Sequence, residues 1–146
     1  MRALRYQTFA DPVDLHVEDV PEPVPAAEEV LVRIHAASLN PVDWKIATGG
    51  FRMLVRGGLP RTMGSDFAGE VISTGAGSTR LAPGDRVFGF VDPFTRTGGT
   101  FAEFAAIPSE FAHRLPDAVP FRDAAALACV GATAVTLCNL GRVTLG

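Results

Sequence analysis

From residue 29 to residue 37 apolar and polar side chains alternate. Val30, Val32, Ile34 and Ala36 fall on one face, Arg33 and His35 on the other. A period of two belongs to a strand with one buried face, so this stretch predicts a half-buried β-strand. Two β-prone runs precede it, at 3–8 and 15–20. The segment Pro21-Glu22-Pro23-Val24-Pro25 then predicts an extended, stiff connector, because proline fixes its own φ and keeps its predecessor out of the helical region. Downstream, Phe67, Val71 and Ile72 mark one β-prone run and Val87, Phe88 and Phe90 mark a second. Residues 62–90 therefore read as a hairpin on which the rest of the chain is organised. Gly64 and Gly69 interrupt its first run, which predicts a bulge or a close backbone approach. Gly75, Gly77, Pro83 and Gly84 fill the connector. Pro83-Gly84-Asp85 predicts a turn: proline presets φ, glycine takes a positive φ, and aspartate closes the turn with its side chain. Residues 101–107 predict one further strand.

Helices are predicted in three places. Asn40-Pro41 gives a start, with asparagine as cap and proline in the first turn, and Gly49-Gly50 gives the stop. Residues 121–127 and 132–140 predict two helices separated near Gly131, the second ending at Gly141. Residues 51–61 form a basic, irregular loop holding Phe51, Met53 and Leu54; closure over a cleft and an ordinary surface loop are equal expectations for it. Eleven prolines and fifteen glycines in 146 residues favour turns and short strands over a helical bundle. The prediction is one domain, mainly β with a few short helices, able to bury about two thirds of its unfolded surface.

Charge and cysteine content narrow the partners. A net charge of −3 spread along the chain makes no basic stripe, so nucleic acid is not an expected partner. No apolar run is expected to reach membrane-spanning length, and the N-terminus lacks the apolar core of a signal peptide. A soluble cytoplasmic protein is the expectation. Cys129 and Cys138 fall in one segment and frame no disulfide scaffold. His16, His35 and His113 lie on or beside strands and read as surface or satisfied residues. Gly75-Ala76-Gly77-Ser78-Thr79-Arg80 imitates the start of a dinucleotide fingerprint. The true motif ends in glycine and opens a helix, whereas here Arg80 takes that place and a turn follows.

Five motifs carry a family resemblance. Gly64-Ser65-Asp66-Phe67-Ala68-Gly69-Glu70-Val71 and Pro83-Gly84-Asp85-Arg86-Val87 are two of them. Ala37-Ser38-Leu39-Asn40-Pro41-Val42-Asp43 and Gly99-Thr100-Phe101-Ala102-Glu103-Phe104 are two more. The fifth is Ala124-Ala125-Ala126-Leu127 with Gly131-Ala132-Thr133-Ala134 behind it. Together they resemble the N-terminal catalytic domain of the medium-chain dehydrogenase/reductase superfamily, in its zinc-free quinone oxidoreductase group. The resemblance implies a GroES-like, partly open β-barrel over residues 1–146. It also implies that the chain stops where a nucleotide-binding Rossmann domain would begin.

The same resemblance assigns a site. The positions that hold catalytic zinc in related alcohol dehydrogenases are Asn40, Ser65 and Cys129 here, and no cysteine of a structural zinc lobe lies between Val91 and Gly99. Zinc prefers thiolate and imidazole, so no metal is expected, and Cys129 reads as a small buried apolar residue. Asn40 and Thr133 match positions near the nicotinamide ribose and ring, and are the expected cofactor contacts. Asp43, Trp44, Ser65 and Phe90 are the expected substrate pocket, with Asp66 beside them. The alternative for these side chains is structural: Asn40 a helix cap, Asp43 part of the first turn, Thr133 bonded to its own helix.

Without a Lewis acid, hydride transfer is easier to a quinone or to an alkene conjugated with a carbonyl. The charge that develops there spreads onto an oxygen that hydrogen-bond donors can hold. The expected function is therefore an NADPH-dependent reductase of quinones or α,β-unsaturated carbonyl compounds, with this chain inactive without its nucleotide-binding half. No residue emerges as the proton donor. A free-standing GroES-like binding module without redox activity is the competing expectation. The apolar C-terminal segment leaves room for a homo-oligomer.

Overall fold

The central strand β3 (Glu29–Ala36) pairs antiparallel on one side with β5 (Asp66–Thr74) and on the other with β7 (Phe104–Pro108). The computed structural model describes residues 1–77, 80–95 and 98–141. Strand β5 continues the sheet through β6 (Arg86–Phe90) to β8 (His113–Arg114), giving the order β7-β3-β5-β6-β8. A second, three-stranded sheet has the order β2-β1-β4, from Leu15–Asp19, Arg2–Tyr6 and Arg61–Thr62. Helix α1 spans Pro41–Ala47, a 3₁₀ turn spans Ser109–Phe111, and helix α2 spans Phe121–Leu140. The architecture is mainly β, with two open sheets in place of a closed barrel.

Alternation on β3 holds for Val30 and Val32, both fully buried. Leu31 on the other face is buried as well, at 5 % exposure, whereas Arg33 and His35 on that same face are exposed, as the alternation predicts. The main core gathers Val30 and Val32 with Phe67, Val71, Val87 and Ile107. Each such side chain contributes about 1.5–3 kcal/mol relative to exposure.

The hairpin forms as its glycines and prolines predict. The β3–β5 register shifts between Leu31 and Val32 and again between Ile34 and Ala36. At Gly69 a side-chain carbon would overlap the Arg33 carbonyl oxygen, so the close backbone approach is real. In the Pro83-Gly84-Asp85 turn Gly84 has φ +90°. Asp85 Oδ2 accepts the Ala82 N–H at 2.7 Å.

Three expectations are corrected. The strand predicted at 101–107 begins only at Phe104. Residues 101–103 instead exchange bonds with both sheets: Phe101 accepts from Leu4 at 2.8 Å, and Glu103 accepts from Ile34 at 2.9 Å. The two helices predicted around Gly131 are one continuous helix of 20 residues. Glycine inside a helix costs about 1 kcal/mol relative to alanine, and the strong helix formers on both sides absorb it. As a single element, α2 is long and apolar enough by length and composition to cross a membrane, which the sequence reading did not expect of any run. Its first half is packed through Ala124, Ala125 and Ala128, whereas Leu127, Val130, Val135, Leu137 and Leu140 are exposed.

One aromatic ring helps to seat the start of helix α2. Phe121 stacks on His35, with centroids 4.6 Å apart and planes at 17°. The Arg86 guanidinium lies 4.5 Å from the same ring and donates to the carbonyls of Pro116 at 2.8 Å and Val119 at 2.7 Å.

Candidate functional site

The site forms where the start of α1 meets the start of β5. Asn40 occupies the cap position of α1, and Pro41 follows as the first helical residue. Three residues on, Asp43 reaches back so that its Oδ2 accepts the Asn40 backbone N–H at 2.8 Å. Asp43 Oδ1 accepts the hydroxyl of Ser65, 22 residues away in sequence. Asp43 and Ser65 are buried, at 4 % and 0 % exposure. Burial pushes the Asp43 carboxyl above its ordinary value, the bonds from Ser65 and Asn40 pull it back, and the nearby Asp66 pushes it further up.

Asp66 is a second buried carboxylate, also at 0 % exposure. Its Oδ2 accepts the Ser38 hydroxyl at 2.6 Å and its Oδ1 accepts the Cys129 backbone N–H at 3.1 Å. The β5–β6 register places Asp66 opposite Phe90. Phe90 lines a cavity of about 280 Å³ with Cys129, Ala132, Thr133, Thr136 and Leu137. A neighbouring apolar groove of about 630 Å³ runs between β6 and α2, past Phe88, Phe111, His113, Leu127 and Val135.

Two polar side chains at this site differ in their commitments. Thr133 donates its hydroxyl to the Cys129 carbonyl at 2.8 Å, bonding its own helix, and also meets the Cys129 thiol. The Asn40 Nδ2 is buried and has no hydrogen-bond partner. A buried polar nitrogen without a partner costs about 1–3 kcal/mol.

The sequence candidates are thus distributed unevenly. Asn40, Asp43 and Ser65 form one hydrogen-bonded group, with Asp66 next to it. Phe90 and Thr133 share the cavity beside α2. Trp44, 44 % exposed, lies outside the linings of both grooves. Ser38 was not foreseen, because an irregular segment carries no period to reveal it.

Nor was Arg61, which the sequence placed in a basic, irregular loop and which is 2 % exposed. Its guanidinium donates to the carbonyls of Arg56 at 2.9 Å and Pro93 at 2.8 Å.

The positions matching zinc ligands hold an amide, a hydroxyl and one thiol. Cys129 is half-buried; burial and then the charge of Asp66 push its thiol above the usual range, which disfavours the thiolate that a metal needs. Among the described residues no group of three His, Cys, Asp or Glu could hold a metal ion. In the segment that imitates a dinucleotide fingerprint, Gly75 and Gly77 precede no helix, and Ser78 and Thr79 lie outside the described residues.

Two open sheets, a short capped helix beside them and a long helix across one end define a GroES-like domain. The chain belongs to the alcohol dehydrogenase GroES-like domain family, whose pattern matches residues 26–117. It is 37 % identical over 136 residues to a chloroplastic quinone-oxidoreductase homolog of Spinacia oleracea, covering 92 % of this chain and 40 % of that protein. The quinone oxidoreductase of Coxiella burnetii superposes with a TM-score of 0.87 at 31 % identity, over 100 % of this chain and 46 % of that one. The Escherichia coli quinone oxidoreductase complexed with NADPH superposes with a TM-score of 0.82 at 26 % identity, over 94 % and 40 %. The chain therefore spans less than half the length of these proteins.

Proposed function

We propose that residues 1–146 are the GroES-like catalytic domain of a zinc-independent, NADPH-dependent oxidoreductase that reduces quinones or α,β-unsaturated carbonyl compounds. The observation that carries this reading is one free donor. Asn40 offers a buried Nδ2 with no partner, and Thr133, whose O–H is given to its own helix, faces the neighbouring cavity with its hydroxyl oxygen. These neutral groups fit the ribose and carboxamide of a nicotinamide, while Asn40 and Ser65 stand where a zinc site would need a thiolate and an imidazole. NADPH, bound there, supplies the hydride. Asn40 and Thr133 orient it, and Phe90 forms the apolar wall against which a flat, conjugated acceptor lies. Asp43 and Ser65 hold the Asn40 end of the site through their hydrogen bonds, while Trp44 stands outside the grooves. The relatives named above, quinone oxidoreductases in spinach, Coxiella and E. coli, support the same substrate class. A distinct nucleotide-binding half is part of the proposal, because the described residues offer the pyrophosphate no helix N-terminus with a glycine loop.

The test follows NADPH oxidation by the intact protein with a quinone or an enone, and measures bound metal in the same sample. Turnover without stoichiometric zinc, undiminished by a strong chelator, is expected. Asn40→Ala should lower turnover more than Cys129→Ser. One zinc per chain whose removal abolishes turnover, or no NADPH oxidation with either acceptor class, would overturn the reading.

A further inference from the structure

We infer that Asp43 is the positioning residue of the site, fixing the Asn40 backbone and the start of β5 so that the Asn40 Nδ2 is left as a free donor. The inference rests on the reading of Asn40 as a cofactor contact.

An aspartate that serves only as part of a helix cap sits at the surface and bonds its own turn. Asp43 closes the capping box of α1 and does more. Its two oxygens are committed to different parts of the chain, Oδ2 to the Asn40 N–H and Oδ1 to the Ser65 hydroxyl. A carboxylate held at both ends cannot rotate, so the Asn40 N–H keeps one direction. That direction fixes the backbone at φ −108° and ψ 155°, and with it the line along which the Asn40 side chain leaves the chain.

The arrangement runs against stability. A buried carboxylate is costly, and Asp66 stands close enough to raise the cost. An asparagine at position 43 would keep the Ser65 bond and carry no charge, but its Nδ2 cannot accept the Asn40 N–H. Only the carboxylate holds both donors at once. Above it, Asn40 is 7 % exposed and its Nδ2 is unpartnered. An anchored backbone with an unsatisfied donor at its tip is what pre-organised binding requires, since no order has to be imposed when the acceptor arrives.

The experiment uses the intact protein with four variants: Asp43→Asn, Asn40→Ala, the two combined, and Ser65→Ala. Two quantities are read, the exchange protection of the Asn40 amide without cofactor and the dissociation constant of NADPH. Asp43→Asn is expected to lower Asn40 protection by at least roughly tenfold and to weaken NADPH binding roughly three- to tenfold. In the Asn40→Ala background the same change should weaken NADPH binding by less than about twofold, because residues that act through one another are not additive. Ser65→Ala frees Oδ1 and should lower the protection in the same sense, which keeps the test decisive should Asp43→Asn fail to fold. Unchanged Asn40 protection in a folded Asp43→Asn or Ser65→Ala protein, or equal losses of NADPH affinity in both backgrounds, would overturn the inference. Lost protection together with an Asn40→Ala protein that binds NADPH like the parent supports the anchor and refutes Asn40 as a cofactor contact.

Discussion

Asp66 on the first residue of β5 accepts the backbone N–H of Cys129 from the middle of α2, across 3.1 Å. A side chain of the sheet thus holds the helix backbone directly, and its other oxygen holds Ser38. Removing the carboxylate should take the acceptor away from two part-buried donors. Asp66→Ala is expected to lower stability by about 3 kcal/mol, and Asp66→Asn by about 1 kcal/mol, because the amide oxygen can still serve one donor. Urea midpoints of the two variants check the order; equal losses would mean that the Cys129 bond is not the seat of α2.

The pH dependence of stability should carry the mark of Asp43. Its carboxyl is raised above 3.8 in the folded state, mainly by burial, so the folded chain holds this proton more tightly than the unfolded chain does. Stability from this group therefore falls as pH rises from the unfolded value through the raised folded one. Asp43→Asn removes that slope. Subtracting the two stability profiles across mildly acid pH should leave a difference that declines with rising pH; a rising difference would reverse the assignment.

Two glycines separate strain from overlap. Gly84 has φ +90° with nothing near an added side-chain carbon, so Gly84→Ala should cost only the backbone term, about 1 kcal/mol. At Gly69 the added carbon meets the Arg33 carbonyl oxygen and the Val32 side chain, both fixed in β3. Gly69→Ala should cost more than about 3 kcal/mol or prevent folding. Thermal melts of both proteins test the ranking.

Leu127, Val135, Leu137 and Leu140 are exposed apolar side chains of α2, whose residues 132–140 are exposed all round. A fragment limited to residues 1–146 should bind a hydrophobic dye and self-associate at high concentration. Glutamate at positions 137 and 140 should abolish both effects and change folding stability by less than about 1 kcal/mol. A monomeric parent fragment that binds no dye would sink this expectation.

Much of the fold was legible because local chemistry dictates it. The Pro83-Gly84-Asp85 turn, the close approach at Gly69 and the capped start of α1 each follow from one or two residues. Gly131 misled, since a lone glycine is only a weak break when alanine, leucine and valine continue the helix on both sides. The site was legible as a list and not as an arrangement. That Asp43 reaches Ser65, and that Asp66 reaches Ser38 and Cys129, depends on contacts between segments up to 63 residues apart, and no period in a sequence encodes such a span. Arg61 was hidden for a related reason: arginine in a basic loop looks solvated until the carbonyls that bury it are known.

That buried arginine makes two loops into one mechanical part. Its guanidinium grips the carbonyls of Arg56 and Pro93, the Arg56 N–H bonds the Phe94 carbonyl at 2.6 Å, and Phe51 meets Phe94 edge to face. An insertion near residue 56 or residue 93 would have to carry the opposite loop with it. Met53, 99 % exposed, sits outside this clasp. It is the place where this rim can be lengthened or rewritten, for instance to graft a new recognition loop, without loosening the floor beneath it.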